Sequence, residues 1–129
     1  MAKTAIVSSK APPSAGAYSP ALVVGEWVFV SGQGGFDPAT GELASDEIEA
    51  QTEQTFRNVD ALLEEAGCSR NDIVSCLVHL SDLALFPRYY AVYERQFAEP
   101  RPVRTTVAAQ LAAGMLIELT VIARKGAGA

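Results

Sequence analysis

The chain has 129 residues, 49% hydrophobic and 19% charged, which suits one packed domain and excludes a disordered chain. A net charge of −5, with no basic cluster longer than Arg124-Lys125, argues against nucleic acid as a partner, since phosphate backbones demand a concentrated positive face. No stretch has signal-peptide or membrane-spanning length, and Cys68 and Cys76 form no Cys-x-x-Cys pair, so a single cytoplasmic domain (1–129) with reduced thiols and no membrane partner is expected.

In chain order, Ile6-Val7-Ser8 predicts a short first strand. Residues 11–20 hold Pro12, Pro13, Gly16 and Pro20 and read as a loop whose one large side chain is Tyr18. Ala21–Val24 and Trp27–Gln33 are β-prone runs around Gly25-Glu26 and predict a hairpin. Beyond it, Ser31-Gly32-Gln33-Gly34-Gly35 reads as a strand end followed by sharp-turn glycines. From Asp46 to Ala66 the period becomes helical, with Ile48, Thr52, Phe56, Val59, Leu62, Leu63 and Ala66 on one stripe. Asp46 and Glu49 form a capping-box pattern, and Gly67 is placed to end the helix.

Ile73–Leu80 is apolar on both faces and predicts a central, covered strand. A second helix over Leu85–Phe97 sets Phe86, Tyr89, Tyr90, Tyr93 and Phe97 on one stripe, with Pro87 in its first turn. That stripe reads as packing against the sheet. Pro102–Val107 and Ile117–Val121 predict a closing hairpin of largely buried strands, with Gly114 in the turn. The order β-β-β-α-β-α-β-β is an α+β fold, a sheet with two helices on one face. Because the strands are apolar on both sides, the other face needs cover from a second copy of the chain.

Two charges stand out on the closing strands. Arg104 stays protonated in any protein environment, and Glu118 is costly to bury without a partner. Two readings are open: a structural ion pair across the hairpin, or a cleft built for an anionic ligand. A hairpin turning near Ala113 sets Glu118 opposite Ala108, about 13 Å along the strand from Arg104, which leaves the arginine wanting another anion.

Other chemistries find less support. His79, the only histidine, sits between Val78 and Leu80 and reads as a packed or hydrogen-bonded sheet residue. One histidine and two separated cysteines do not supply the ligands zinc needs. The lysines, Lys3, Lys10 and Lys125, all lie near the ends, where a Schiff base to pyridoxal phosphate is disfavoured. Gly32-Gln33-Gly34-Gly35 lacks the lysine of a P-loop and the third glycine of a dinucleotide fingerprint, and Ser31 has no nucleophile-elbow context. Neither metal nor cofactor is expected.

With these residues in view, the chain resembles the RidA (YjgF) family of imine and enamine deaminases, nearly end to end. Ala11-Pro12 with Gly16-Ala17-Tyr18-Ser19-Pro20 is similar to the family's A-P…G-x-Y-S opening, and Phe29-Val30-Ser31-Gly32-Gln33 to its strand-ending S-G-Q, with Asp37-Pro38 and Gly41 after it. Gln51 to Asn58-Val59 resembles its Q-x-x-x-x-x-x-N-V helix, Pro102-Val103-Arg104-Thr105 its P-x-R-[ST] strand, and Ile117-Glu118-Leu119 its closing I-E-[IL].

The resemblance implies a chorismate-mutase-like fold, a homotrimer with clefts between subunits, and cofactor-free deamination of 2-imino or 2-enamino acids such as 2-aminoacrylate to 2-keto acids. It implies that Arg104 holds the substrate carboxylate, that Glu118 orients or activates water, and that Tyr18, Ser31 and Gly32 line the pocket. The deaminase branch usually has Cys and Asn where this chain has Thr106 and Tyr90. Those two residues, which by position touch substrate, bear on which side chain is accepted. They also keep open a non-catalytic trimeric binder or sensor of small carboxylates. An endoribonuclease or translation-inhibitor role sits badly with the acidic charge.

Overall fold

The computed structural model describes residues 1–129. Strands β1 (Lys3–Ile6), β2 (Ala21–Val24), β3 (Trp27–Gln33), β4 (Ile73–Leu80), β5 (Val103–Ala108) and β6 (Ile117–Arg124) alternate with helices α1 (Ile48–Glu65) and α2 (Phe86–Tyr93). The order of strands and helices is the expected one. They build one sheet in the spatial order β1-β2-β3-β6-β4-β5.

The first hairpin forms as the pattern predicts. Leu22 faces Phe29 and Val24 faces Trp27, and Gly25 takes a φ of +60° in the two-residue loop, as a glycine there does at little cost. The first strand starts at Lys3, ahead of the apolar Ile6-Val7 pair, because its ladder with β2 runs from Lys3–Val24 to Ile6–Ala21. Backbone pairing, more than apolar content, sets its ends.

Helix α1 starts at Ile48, and the expected capping box is absent. The Glu47 N–H donates to Ser45 Oγ (3.0 Å), and Glu49 is drawn away to Arg88 of α2 (2.7 Å). Its far end is as predicted: Gly67 at φ +81° donates to Glu64 O, and Cys68 donates to Leu63 O, which satisfies the last carbonyls. Helix α2 is shorter than its apolar stripe. A 3₁₀ turn over Leu83–Leu85, with Asp82 accepting from Ala84 N, precedes it, and it ends at Tyr93. Tyr89, Tyr93 and Phe97 are buried in the core, and the Tyr93 and Phe97 rings sit 6.0 and 5.7 Å from Phe56. Tyr90 instead turns outward, 38% exposed.

The predicted closing hairpin does not form. β6 runs antiparallel between β3 and β4, while β5 lies on the far side of β4 and parallel to it. The side chains give the reason. Ile117, Leu119, Val121 and Ala123 of β6 are all buried, so that strand takes an interior position. Val103-Arg104-Thr105 of β5 is exposed and tolerates the sheet edge, so the expectation of a buried strand there is also corrected. The long β4–α2–β5 connection is what a parallel pair requires.

Helix α1 packs on β3 and β6, and α2 packs on α1. Val28, Val30, Cys76, Val78, Leu80, Ile117, Leu119 and Val121 meet Ile48, Phe56, Val59, Leu62 and Leu63 in one core. The opposite face stays open and apolar. Trp27, Phe29 and Leu77 are 43%, 42% and 37% exposed on it, and Phe29 stands between Leu22 and Ile122 in one cross-strand row. Side chains of this size gain about 1.5–3 kcal/mol between full exposure and full burial, so covering the part still exposed adds about 0.5–1 kcal/mol each, and the face has the character of an association surface.

Candidate active site

The open face carries a cavity at one end of the sheet. Val30 pairs with Val121 and Gln33 with Leu119, so Ser31 and Gly32 together oppose Thr120, a one-residue bulge. The Ser31 hydroxyl donates to Ser19 O (2.7 Å) and its N–H to Pro20 O (2.9 Å), which ties the proline-rich loop onto β3. Tyr18, half-exposed on that loop, accepts from Ala15 N at 3.0 Å. A cavity of about 480 Å³ opens between this loop, the Gly32–Phe36 segment and the turn before β6, and Tyr18, Gly32, Met115 and Glu118 line it.

Gly32 is needed there for space. It lies outside the positive-φ region, yet a Cβ on it would fall 2.7 Å from Glu118 Cδ and 2.8 Å from Oε1. The carboxylate therefore lies directly on the bare backbone of residue 32. Gly34 and Gly35 serve the same purpose: Cβ atoms there would strike Met115 and the backbone of Gln51. The expectation that these glycines mark sharp turns is thus corrected, since close approach is what excludes a side chain at 32, 34 and 35.

Two buried polar residues of α1 hold the walls. Asn58 Nδ2 donates to the carbonyls of Gly34 (3.0 Å) and Phe36 (2.8 Å). Gln51 Nε2 donates to Ser45 O, and Gln51 Oε1 accepts from Leu116 N (2.8 Å). Reading the α1 stripe for apolar residues alone misses them. The available signal was Gln51, Gln54, Thr55 and Asn58 at helical spacing among Ile48, Phe56 and Val59, polar groups on a buried face that must each find a partner.

Arg104 is elsewhere. It stands beside Cys76 on β4, and Cys76 faces Val121 of β6, so all three point to the helix side. Glu118 faces His79 and points to the open side. Within one chain, then, Arg104 and Glu118 lie on opposite faces of the sheet, and the cross-hairpin ion pair does not exist. The Arg104 guanidinium lies 5.4, 5.7 and 5.5 Å from the ring centres of Phe86, Tyr90 and Tyr93, and Nη1 donates to Thr106 Oγ1 at 2.5 Å. Every other arginine is matched to a side-chain oxygen acceptor: Arg57 to Gln54, and Arg70, Arg88, Arg95, Arg101 and Arg124 to carboxylates. Arg104 alone has no anionic or amide partner.

The groups under Arg104 are neutral donors. Burial pushes the Tyr89 and Tyr93 phenols above their ordinary range, and both hydroxyls lack a hydrogen-bond partner. Burial also pushes the Cys76 thiol up to about 11, so it is no nucleophile at neutral pH. Cys68 and Cys76 are both free thiols. The predicted residues therefore sort into two groups: Tyr18, Gly32 and Glu118 around the cavity, with Ser31 fastening its loop, and Arg104, Thr106 and Tyr90 on the other face.

This arrangement has counterparts among known proteins. The sequence pattern of the Endoribonuclease L-PSP family matches residues 8–125. The chain belongs to that family. A RutC family protein of Pyrococcus abyssi is 44% identical over 126 residues, covering 97% of this chain and 99% of the relative. The 2-iminobutanoate/2-iminopropanoate deaminase of Rattus norvegicus is 35% identical, covering 94% and 89%. The crystal structure of RidA from an Antarctic Psychrobacter superposes with a TM-score of 0.90 at 41% identity, covering 94% of this chain and 98% of the other. The expected RidA resemblance is thereby established. Tyr18 through Glu118, and so both residue groups, fall inside the L-PSP segment. No helix is long and apolar enough to cross a membrane.

Proposed function

We propose that this L-PSP family member hydrolyses reactive 2-imino and 2-enamino acids to 2-keto acids and ammonia without a cofactor. We further propose that its working form is a homotrimer whose clefts join Arg104 of one subunit to Glu118 of the next. The observation that carries the reading is the pair of incomplete half-sites. One is a guanidinium without an anion, framed by aromatic rings on one face. The other is a carboxylate in a cavity on the opposite, apolar face that calls for cover. Joined, they have what an imino acid needs.

In this reading, the guanidinium holds the substrate carboxylate through two parallel hydrogen bonds and so fixes the neighbouring C=N carbon. Water on Glu118 gives up a proton to the carboxylate as its oxygen bonds to that carbon. The C=N electron pair of the protonated imine moves onto nitrogen to give a neutral carbinolamine. Glu118 returns its proton to that nitrogen, the C–N bond breaks to release ammonia, and the carboxylate takes the hydroxyl proton as the carbonyl forms and passes it to solvent. Such imines hydrolyse unaided, so orientation and a general base, worth about 10²–10⁴-fold, are sufficient. The name of the rat relative supports the same chemistry.

The test uses imines generated in place by an amino-acid oxidase, read by ammonia release. Arg104→Ala should abolish acceleration, and Glu118→Gln should lower it about 10²-fold to a residual, measurable rate. Co-assembly of the two variants in equal amounts should restore turnover at about a quarter of the sites, those pairing an intact arginine with an intact glutamate across a contact. Full activity of Arg104→Ala refutes the mechanism. Absence of recovery in folded mixed assemblies refutes the shared cleft. Keto-acid binding with no ammonia release would establish the sensor reading, which Tyr90, stacked on Phe86 where the deaminase branch has Asn, keeps in play.

A further inference from the structure

We propose that His79 is a positioning residue for Glu118: its Nδ1–H donates to Oε1 of the carboxylate and leaves the other oxygen to take the proton from water. The inference rests on the reading of Glu118 given above and deepens it, since that reading makes no use of the histidine.

The β4–β6 register sets His79 directly across from Glu118, and both side chains stand on the open face. Nδ1 lies 3.9 Å from Oε1, with the two side chains 26% and 31% exposed. The atom itself is shut off from solvent and has no hydrogen-bond partner. An occluded imidazole nitrogen left unpaired costs free energy and in native proteins usually points to a role. Its neighbours leave one candidate. Across β4 on the other side stands Val107 of β5, which offers no polar side-chain atom, and Glu118 is the only carboxylate within ion-pair range.

Glu118 is equally unclaimed. Its carboxylate makes no hydrogen bond within the chain, and it lies against the bare backbone of Gly32 and beside the imidazole. An approach about 1 Å closer brings Nδ1 to the 2.7–2.9 Å of a charge-assisted hydrogen bond. A carboxylate held by one oxygen is restrained from swinging, and Glu118 lines the cavity in which the water of the proposed reaction would sit. The bond requires the tautomer with its proton on Nδ1.

The experiment measures steady-state imine hydrolysis by the full-length protein for His79→Leu, His79→Asn, Glu118→Gln and the double variant His79→Leu/Glu118→Gln. Asparagine places an amide N–H near the Nδ1 position. His79→Leu should lower kcat about tenfold with KM within twofold, and His79→Asn should recover most of that loss. In the Glu118→Gln background, His79→Leu should have no further effect, because the residue acts only through the carboxylate. Wild-type kcat in His79→Leu, or an equal loss with and without Glu118, overturns the proposal. Should His79→Leu fail to fold, a His79→Asn variant at wild-type thermal stability with a tenfold lower kcat overturns it as well. Full activity of Glu118→Gln would sink the underlying reading instead. The two failures are thus told apart.

Discussion

Gly32→Ala tests the geometry with one methyl group. A Cβ at residue 32 would sit 2.7 Å from Glu118 Cδ and 2.9 Å from Cγ, against a comfortable carbon–carbon separation of about 3.5–4.0 Å. The carboxylate must therefore retreat by about 1 Å. It is the end of a flexible side chain, so retreat costs about 0.5–1.5 kcal/mol in rotamer energy. Replacing a strand glycine of ordinary φ by alanine returns roughly 0.5–1 kcal/mol in backbone entropy. Stability should change by less than about 1 kcal/mol, read from urea unfolding. Activity should not be spared, because misplacing a reacting group by about 1 Å costs on the order of 10²-fold. Ammonia release from an oxidase-generated imine gives kcat directly. A Gly32→Ala protein with wild-type kcat refutes the placement of the chemistry at Glu118, and one whose activity falls only because it unfolds refutes the claim that residue 32 acts through space.

Asn58→Ala should behave in the opposite way. Removing a fully buried amide strands the carbonyls of Gly34 and Phe36 and the Gln54 amide, and should cost about 2–4 kcal/mol, visible as a lower urea midpoint; a loss below about 1 kcal/mol would mean water replaces the side chain. Alkali should weaken the fold through Cys76. Below pH 9 the thiol is neutral in both folded and unfolded chains. Between about pH 9 and pH 11 the unfolded chain releases that proton and the folded chain keeps it, so stability falls as pH rises through the window, by on the order of 2 kcal/mol. The raised Tyr89 and Tyr93 phenols carry the same fall beyond pH 10. Cys76→Ala should flatten the first part of the slope, and an unchanged slope would count against the burial of the thiol.

Much of the architecture was legible because it is local. The hairpin around Gly25-Glu26, the helical stripe from Ile48 to Leu63 and its stop at Gly67 each depend on residues a few positions apart. The charges at Arg104 and Glu118 were legible too, as misfits on β-prone runs. Capping at Glu49 was misread because Arg88, 39 positions away, competes for that carboxylate. Gly32, Gly34 and Gly35 were misread because what excludes a side chain there is the neighbouring Glu118, Met115 and Gln51, none of them close in sequence.

The chain's own pattern thus determined which segments become strand or helix, their order, and that both faces of the sheet would be apolar. Only the tertiary structure decided that β6 slots between β3 and β4 and sends β5 to the edge, and this decided everything about the site. Strand partners are chosen by competition among long-range pairings, and side-chain direction alternates with every residue, so a change of partner or register moves a charge to the other face. That is why Arg104 and Glu118 face away from each other, and why His79, read as a packed or hydrogen-bonded sheet residue, stands across from the glutamate.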